Sequence, residues 1–254
     1  FDLNRVGNSD GDDGTVLRAL AEGDAERIEE RYKAEVLTAA ERKVEAKQSE
    51  TEGNKAKETL DQKVPAILET YFAAPYIFGP AMIEYLDKTG GSKAIDKAFE
   101  DVPTEEELFN PLLDGKPESD VQQLEVDPPT GTEALDSGTF GPTQLYLMLA
   151  SRSSAAAALK AVDGWGGDAY VVAKEAGKVC VTADITGDDA ATSATLASAV
   201  AAWAAKSPNK SATATRDGDT THLHACDPGP EAKAVGSDVT TDYLHVDATM
   251  IMLV

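Results

Sequence analysis

The sequence predicts an α+β protein: a mainly helical N-terminal two-thirds, then a small antiparallel sheet with a covering helix. Three observations point to it. Apolar residues recur at three- and four-residue spacing over residues 17–32 and again over residues 67–86. After residue 168 they give way to short runs rich in Val, Thr and Ile. Two such runs flank Asp217-Gly218, a strong hairpin turn signal.

The elements follow in order. Residues 1–14 are polar and rich in Gly and Asp, which predicts a loop or frayed end. A helix is expected over residues 15–48, with Leu17, Leu20, Asp24, Ile28 and Tyr32 on one face. Its second half has almost no apolar stripe, as expected of a solvated helix held by local ion pairs. Residues 49–57 read as a hinge. A second helical region follows, with Pro65 suited to its first turn, breaks at Pro75 and at Gly79-Pro80, and a C-cap at Gly90-Gly91. Residues 92–99 form a short helix, and Thr104 to Glu107 has a capping-box pattern. Residues 110–130, punctuated by proline, predict an extended surface crossing.

From Gly141 the chain should form two helices, the second Ala-rich and ending near Val162. Strands are expected over 169–174 and 178–185, then an amphipathic helix over 188–206 with Leu196, Val200 and Trp203 on one side. The hairpin strands are 212–216 and 221–225. This β-β-α-β-β order is the predicted sheet with its covering helix. Three regions are therefore expected: residues 1–140, residues 141–227, and a loop-like tail over 228–254 that ends on the apolar run Met250 to Val254.

Composition narrows the function. Forty-five acidic against 23 basic side chains give a formal charge of −22, a field that repels phosphate backbones and excludes nucleic acid as a natural partner. Protein or peptide partners remain. No apolar run approaches the roughly 20 residues of a transmembrane helix. The chain opens on Phe1 without a basic and apolar leader, which leads one to expect a processed or partial protein.

The two cysteines, Cys180 and Cys226, each sit in a strand-like run, and antiparallel neighbours would bring them within bonding distance. A disulfide is one reading and a pair of buried thiols the other. A disulfide would place the protein outside the cytoplasm. The three histidines are His222, His224 and His245; none is spaced four residues from another, so no H-E-x-x-H zinc motif is present. His222 and His224 share one strand face, suited either to a surface metal site or to plain strand positions. Gly164-Trp165-Gly166-Gly167-Asp168 lacks the Gly-Lys-Ser/Thr of a phosphate loop; it predicts a structural turn with glycines at positive φ and a packed Trp. Asp24 falls inside the apolar stripe of the first helix and needs a partner if it is buried.

Residues 19–25, Ala-Leu-Ala-Glu-Gly-Asp-Ala, resemble the A-L-x-E-G-D-A segment of a bacterial, actinobacterial-type family of neutral zinc metallopeptidase-like proteins. Four later segments resemble that family in the same order. They are Pro75-Tyr76-Ile77-Phe78-Gly79, Thr89-Gly90-Gly91 through Ala98, Pro103 through Pro111, and Ala161 through Asp168. The resemblance implies that the chain follows the catalytic H-E-x-x-H helix, that Glu22 is the third zinc ligand, and that Asp24 supports a ligand histidine. It implies zinc as cofactor only where an upstream H-E-x-x-H segment supplies two histidines and the general base. The expected protein is a secreted or cell-envelope metallopeptidase-like hydrolase, with a lipid anchor upstream as one arrangement. On this reading the chain alone has no catalytic residues. A non-catalytic envelope lipoprotein or interaction module on a degenerate scaffold is the other function these residues allow.

Overall fold

The computed structural model describes residues 12–63, 66–109, 121–229 and 232. Pro65, His245, most of the polar start and the apolar end Met250 to Val254 lie outside them. The described residues divide into two compact units, one ending at Phe109 and one beginning at Val121.

The first unit is helical: α1 Asp12–Val36, α2 Ala39–Lys63, α3 Ala66–Gly90, α4 Ser92–Glu100 and α5 Glu105–Phe109. The single helix expected over 15–48 is instead two helices, and it begins early enough to take in Asp12 to Gly14. The break falls at Thr38, where a capping box starts α2. The Thr38 amide donates to Glu41 Oε2 at 2.8 Å, and the Glu41 amide donates back to Thr38 Oγ1 at 3.3 Å. Arg42 closes the end of α1 by donating to the Leu37 carbonyl at 2.7 Å, a cation placed where the helix dipole favours one.

The expected hinge over 49–57 is helix throughout. Side-chain bonds one turn apart, Ser49 to Glu45 at 2.8 Å and Gln48 to Glu52 at 3.0 Å, carry α2 through it. Nor do Pro75 and Pro80 interrupt α3. Gly91, at φ +65°, ends α3 in the left-handed conformation that glycine takes without penalty.

The buried face of α1 is Val16, Leu17, Ala19 and Leu20, not the full stripe the sequence predicts. Ile28 and Tyr32 are 50% and 55% exposed, because contact between α1 and α3 is closest at Gly23 and Gly79. A Cβ on Gly23 would lie 2.8 Å from Pro80 N and closer still to the Gly79 carbonyl. The two backbones therefore touch, as small residues at a helix crossing allow. Around this contact the core closes with Phe78, Met82, Ile83, Ile95, Leu108 and Phe109; the Phe78 and Phe109 rings meet edge-to-face at 5.0 Å.

In the second unit β1 Ala134–Gly138, β2 Trp165–Glu175, β3 Lys178–Gly187, β4 Ala212–Asp217 and β5 Thr220–Cys226 form one antiparallel sheet in the order β1-β2-β3-β5-β4. Helices α6 Gly141–Ala150, α7 Ala155–Val162 and α8 Ala190–Ala205 complete the unit. The covering helix is α8, which packs across β2 to β5. It starts at a capping box in which Asp189 Oδ1 accepts from the amides of Ala191 and Thr192, both at 2.8 Å. Leu196 and Val200 of α8 are fully buried, as are Ala183 and Ile185 of β3. The expected β-β-α-β-β order holds, with a fifth strand the sequence did not signal: β1 pairs along β2 with every side chain exposed.

Candidate functional site

Chemistry-bearing side chains gather in three places. The first is α1. Glu22 and Asp24 lie one residue to each side of Gly23, whose contact with Gly79 fixes both against α3. The phenol of Tyr76, in α3, stands beside the Glu22 carboxylate, whose influence, with some burial, pushes that phenol above its ordinary range. Asp24 finds the partner its position calls for in Arg27, one turn on, at 2.7 Å. Both acids are only part-buried.

Glu22 has a hydroxyl beside it and takes part in no grouping of three His, Cys, Asp or Glu side chains among the described residues. Zinc needs three or four such ligands. The described residues around Glu22 therefore do not fit a zinc ion by themselves. Asp24 is occupied by a cation on its own helix rather than by a histidine.

The second place is the start of β2. Asp168 is 2% exposed and gathers three donors. The amides of Phe140 and Gly141 approach at 2.6 Å and 3.0 Å, and Trp165 Nε1 at 2.8 Å. Its charge lies at the first residues of α6, where the helix dipole favours an anion. Gly164 to Asp168 is thus a structural clasp whose form differs from the expected turn. Gly166 and Gly167 open a strand, with a bulge between Trp165 and Gly167, and of the glycines at 164, 166 and 167 only Gly167 has a positive φ, at +145°. The glycines are there for close approach. A Cβ on Gly164 would strike Thr192, one on Gly166 the backbone of Gly187, and one on Gly167 the backbone of Gln122.

The third place is the sheet face that carries His222 and His224. Along β5, Thr221 and Leu223 point into the core while His222, His224 and Cys226 alternate to the other face. Register sets Asp184 opposite His222 and Cys180 opposite Cys226. His222 Nδ1 lies 2.6 Å from Asp184 Oδ1, and His224 Nε2 lies 3.0 Å from Glu175 Oε1. The cysteines are joined: Cys180 and Cys226 form a disulfide, as one of the two sequence readings holds. Glu175, Cys180, His224 and Cys226 bring their ligand atoms within 4.8 Å of one another.

Sequence reasoning found the two histidines and both cysteines of this cluster but neither carboxylate. Both carboxylates were recoverable in principle, since the tight turn at Gly177 fixes the β2–β3 register and period-two alternation then puts Glu175 and Asp184 on the histidine face. Tyr76 was quoted within a motif but not as the partner of Glu22. No helix among the described residues is long and apolar enough to cross a membrane.

Residues 129–245, which take in the whole sheet, match a domain of unknown function (DUF8575). No curated protein and no solved structure matches the chain.

Proposed function

We propose that this chain belongs to a secreted or cell-envelope zinc-metallopeptidase-like protein and forms the helical scaffold next to a catalytic helix, with Glu22 as the metal ligand it contributes. One observation carries the reading. Two of the segments that resemble the family, residues 19–25 and 75–79, are far apart in sequence yet meet at one point, where Gly23 touches Gly79 and Tyr76 stands beside Glu22. Glu22 is part-exposed, so its carboxylate can be reached from outside the helix pair.

Two imidazoles and a general base must come from outside the described residues for any peptidase chemistry, and the substrate would be a protein or peptide. The Cys180–Cys226 bond supports an oxidising compartment, extracellular or envelope. A lipid anchor outside the described residues belongs to the same proposal.

A second reading, a non-catalytic interaction module, is favoured by the Asp24–Arg27 pair, which occupies the acid expected to steady a ligand histidine. Peptide hydrolysis by the natural full-length protein separates the two. The peptidase reading expects cleavage that a zinc chelator abolishes and that Glu22→Gln cuts at least ~100-fold, as the loss of a metal ligand does. Absence of cleavage by the natural protein, or cleavage untouched by Glu22→Gln, would leave the interaction module.

A further inference from the structure

The cluster at the Cys180–Cys226 corner is unrelated to Glu22 and has its own chemistry. We propose that reduction of this disulfide turns the corner into a binding site for a borderline-soft divalent cation of the zinc class, held by Glu175, Cys180, His224 and Cys226.

The donor set is one carboxylate, one imidazole and two thiolates, a combination that zinc takes in a tetrahedron. With zinc–ligand bonds of about 2.0 Å to N and O and 2.3 Å to S, the tetrahedron edges are about 3.3 Å between N and O and about 3.5 Å between N and S. His224 Nε2 already lies 3.0 Å from Glu175 Oε1 and 3.8 Å from Cys226 Sγ. Those two edges are close to their final lengths before any ion arrives. The edge that must change is the one between the sulfurs, which opens from a covalent bond to about 3.8 Å once the disulfide is reduced.

The ligands also stand on rigid elements. Three strands of one sheet, β2, β3 and β5, supply all four, and backbone register holds Cys180 opposite Cys226 whether or not the sulfurs are bonded. The ion would tie β3 to β5 at the point where the disulfide does, so the sheet keeps a cross-link in both states.

The reductant is a dithiol. Cys180 is 1% exposed and Cys226 is more open, so the first reductant thiolate attacks Cys226 Sγ. The S–S bond breaks, Cys180 leaves as a thiolate, and a mixed disulfide forms on Cys226. The second reductant thiolate then attacks its partner sulfur and releases the Cys226 thiolate. Two electrons pass to the protein sulfurs and the dithiol ends as its own disulfide. Cation binding displaces whatever protons remain on the two thiols and on His224 Nε2.

Cobalt(II), a spectroscopic stand-in for zinc, tests the site in the full chain, oxidised and after reduction under anaerobic conditions. The reduced chain is expected to take about one cobalt per chain, with thiolate-to-cobalt charge transfer and the intense bands of a tetrahedral ion. The oxidised chain is expected to show neither. His224→Ala should weaken binding by at least ~10-fold, while His222→Ala, which alters the neighbouring histidine on the same face, should leave it unchanged. If reduction unfolds the second unit, recovery of its circular dichroism on adding cobalt supports the site, and failure to recover in excess cobalt overturns it. Equal cobalt binding by the oxidised chain, or by reduced His224→Ala, also overturns it, because the ion is then held by surface histidines and acids alone.

Discussion

A methyl group added at Gly23 tests the helix crossing that brings Glu22 to Tyr76. The Cβ of Gly23→Ala would stand 2.8 Å from Pro80 N and nearer still to the Gly79 carbonyl, and on the other side a Cβ on Gly79 would stand 2.9 Å from the Ala19 carbonyl carbon. All of these atoms are backbone, so no side chain can swing away. The helices must part by more than about half an ångström, an overpacking that costs about 1–3 kcal/mol. Alanine returns up to ~1 kcal/mol through its better helix propensity, so the net loss is about 0–2 kcal/mol.

Gly53 supplies the internal control. It lies in α2 with nothing within 4 Å of an added Cβ, so Gly53→Ala should stabilise by about 0.5–1 kcal/mol. Denaturant unfolding followed by helical circular dichroism measures both variants. Trp165 and Trp203, the two tryptophans of the chain, lie in the second unit and report its unfolding separately. The expected pattern is an earlier helical transition for Gly23→Ala, a later one for Gly53→Ala, and a tryptophan transition that neither moves. A Gly23→Ala protein as stable as Gly53→Ala would refute the backbone contact.

Three further outcomes follow from the same geometry. Asp168→Ala leaves the amides of Phe140 and Gly141 and the Trp165 indole without their buried acceptor, at roughly 1–3 kcal/mol for each orphaned donor. The tryptophan transition should shift by at least ~3 kcal/mol, and a shift below ~1 kcal/mol would show that the clasp is not structural. Replacing both cysteines by serine opens a loop with a sequence separation of 46, which the chain-entropy account values at about 4 kcal/mol; the loss should again appear in the tryptophan transition. Tyr76 should ionise above the ordinary tyrosine range, seen as delayed tyrosinate absorbance, and Glu22→Gln should bring it back down. The folded phenol is the raised group, so its contribution to stability is complete below the unfolded tyrosine pKa and fades as pH climbs through the folded one.

Sequence pattern carried furthest where local chemistry decides the outcome. Asp217-Gly218 turns where it should, with Gly218 at φ +57°, and strand alternation sets His222 and His224 on one shared face. It failed where backbone contacts decide. β1 exposes all its side chains, so no apolar alternation marks it; it exists because the open edge of β2 offers unpaired backbone groups. The break at Thr38 was written in Thr38 and Glu41, three apart, a signal that a scan for apolar periodicity passes over. Conversely α2 runs through a stretch that reads as a hinge, since side-chain bonds one turn apart substitute for a buried face.

At the candidate site the sequence gives single residues, Glu22 and Asp24, but their neighbours come from α3 and from one turn along α1, and the phenol and the guanidinium carry no spacing signature that names them as partners. The sheet cluster was half legible for a related reason: cysteine and histidine stand out in composition, whereas Glu175 and Asp184 are two among 45 acids until register selects them.

The most direct test of the proposed function is the zinc content of the natural full-length protein, measured beside its Glu22→Gln and Glu175→Gln variants without any reductant. The metallopeptidase-like account predicts about one zinc per chain in the natural protein and in Glu175→Gln, and none in Glu22→Gln. A natural protein free of zinc, or zinc that survives Glu22→Gln, would contradict it and leave the helical unit as a scaffold for binding alone.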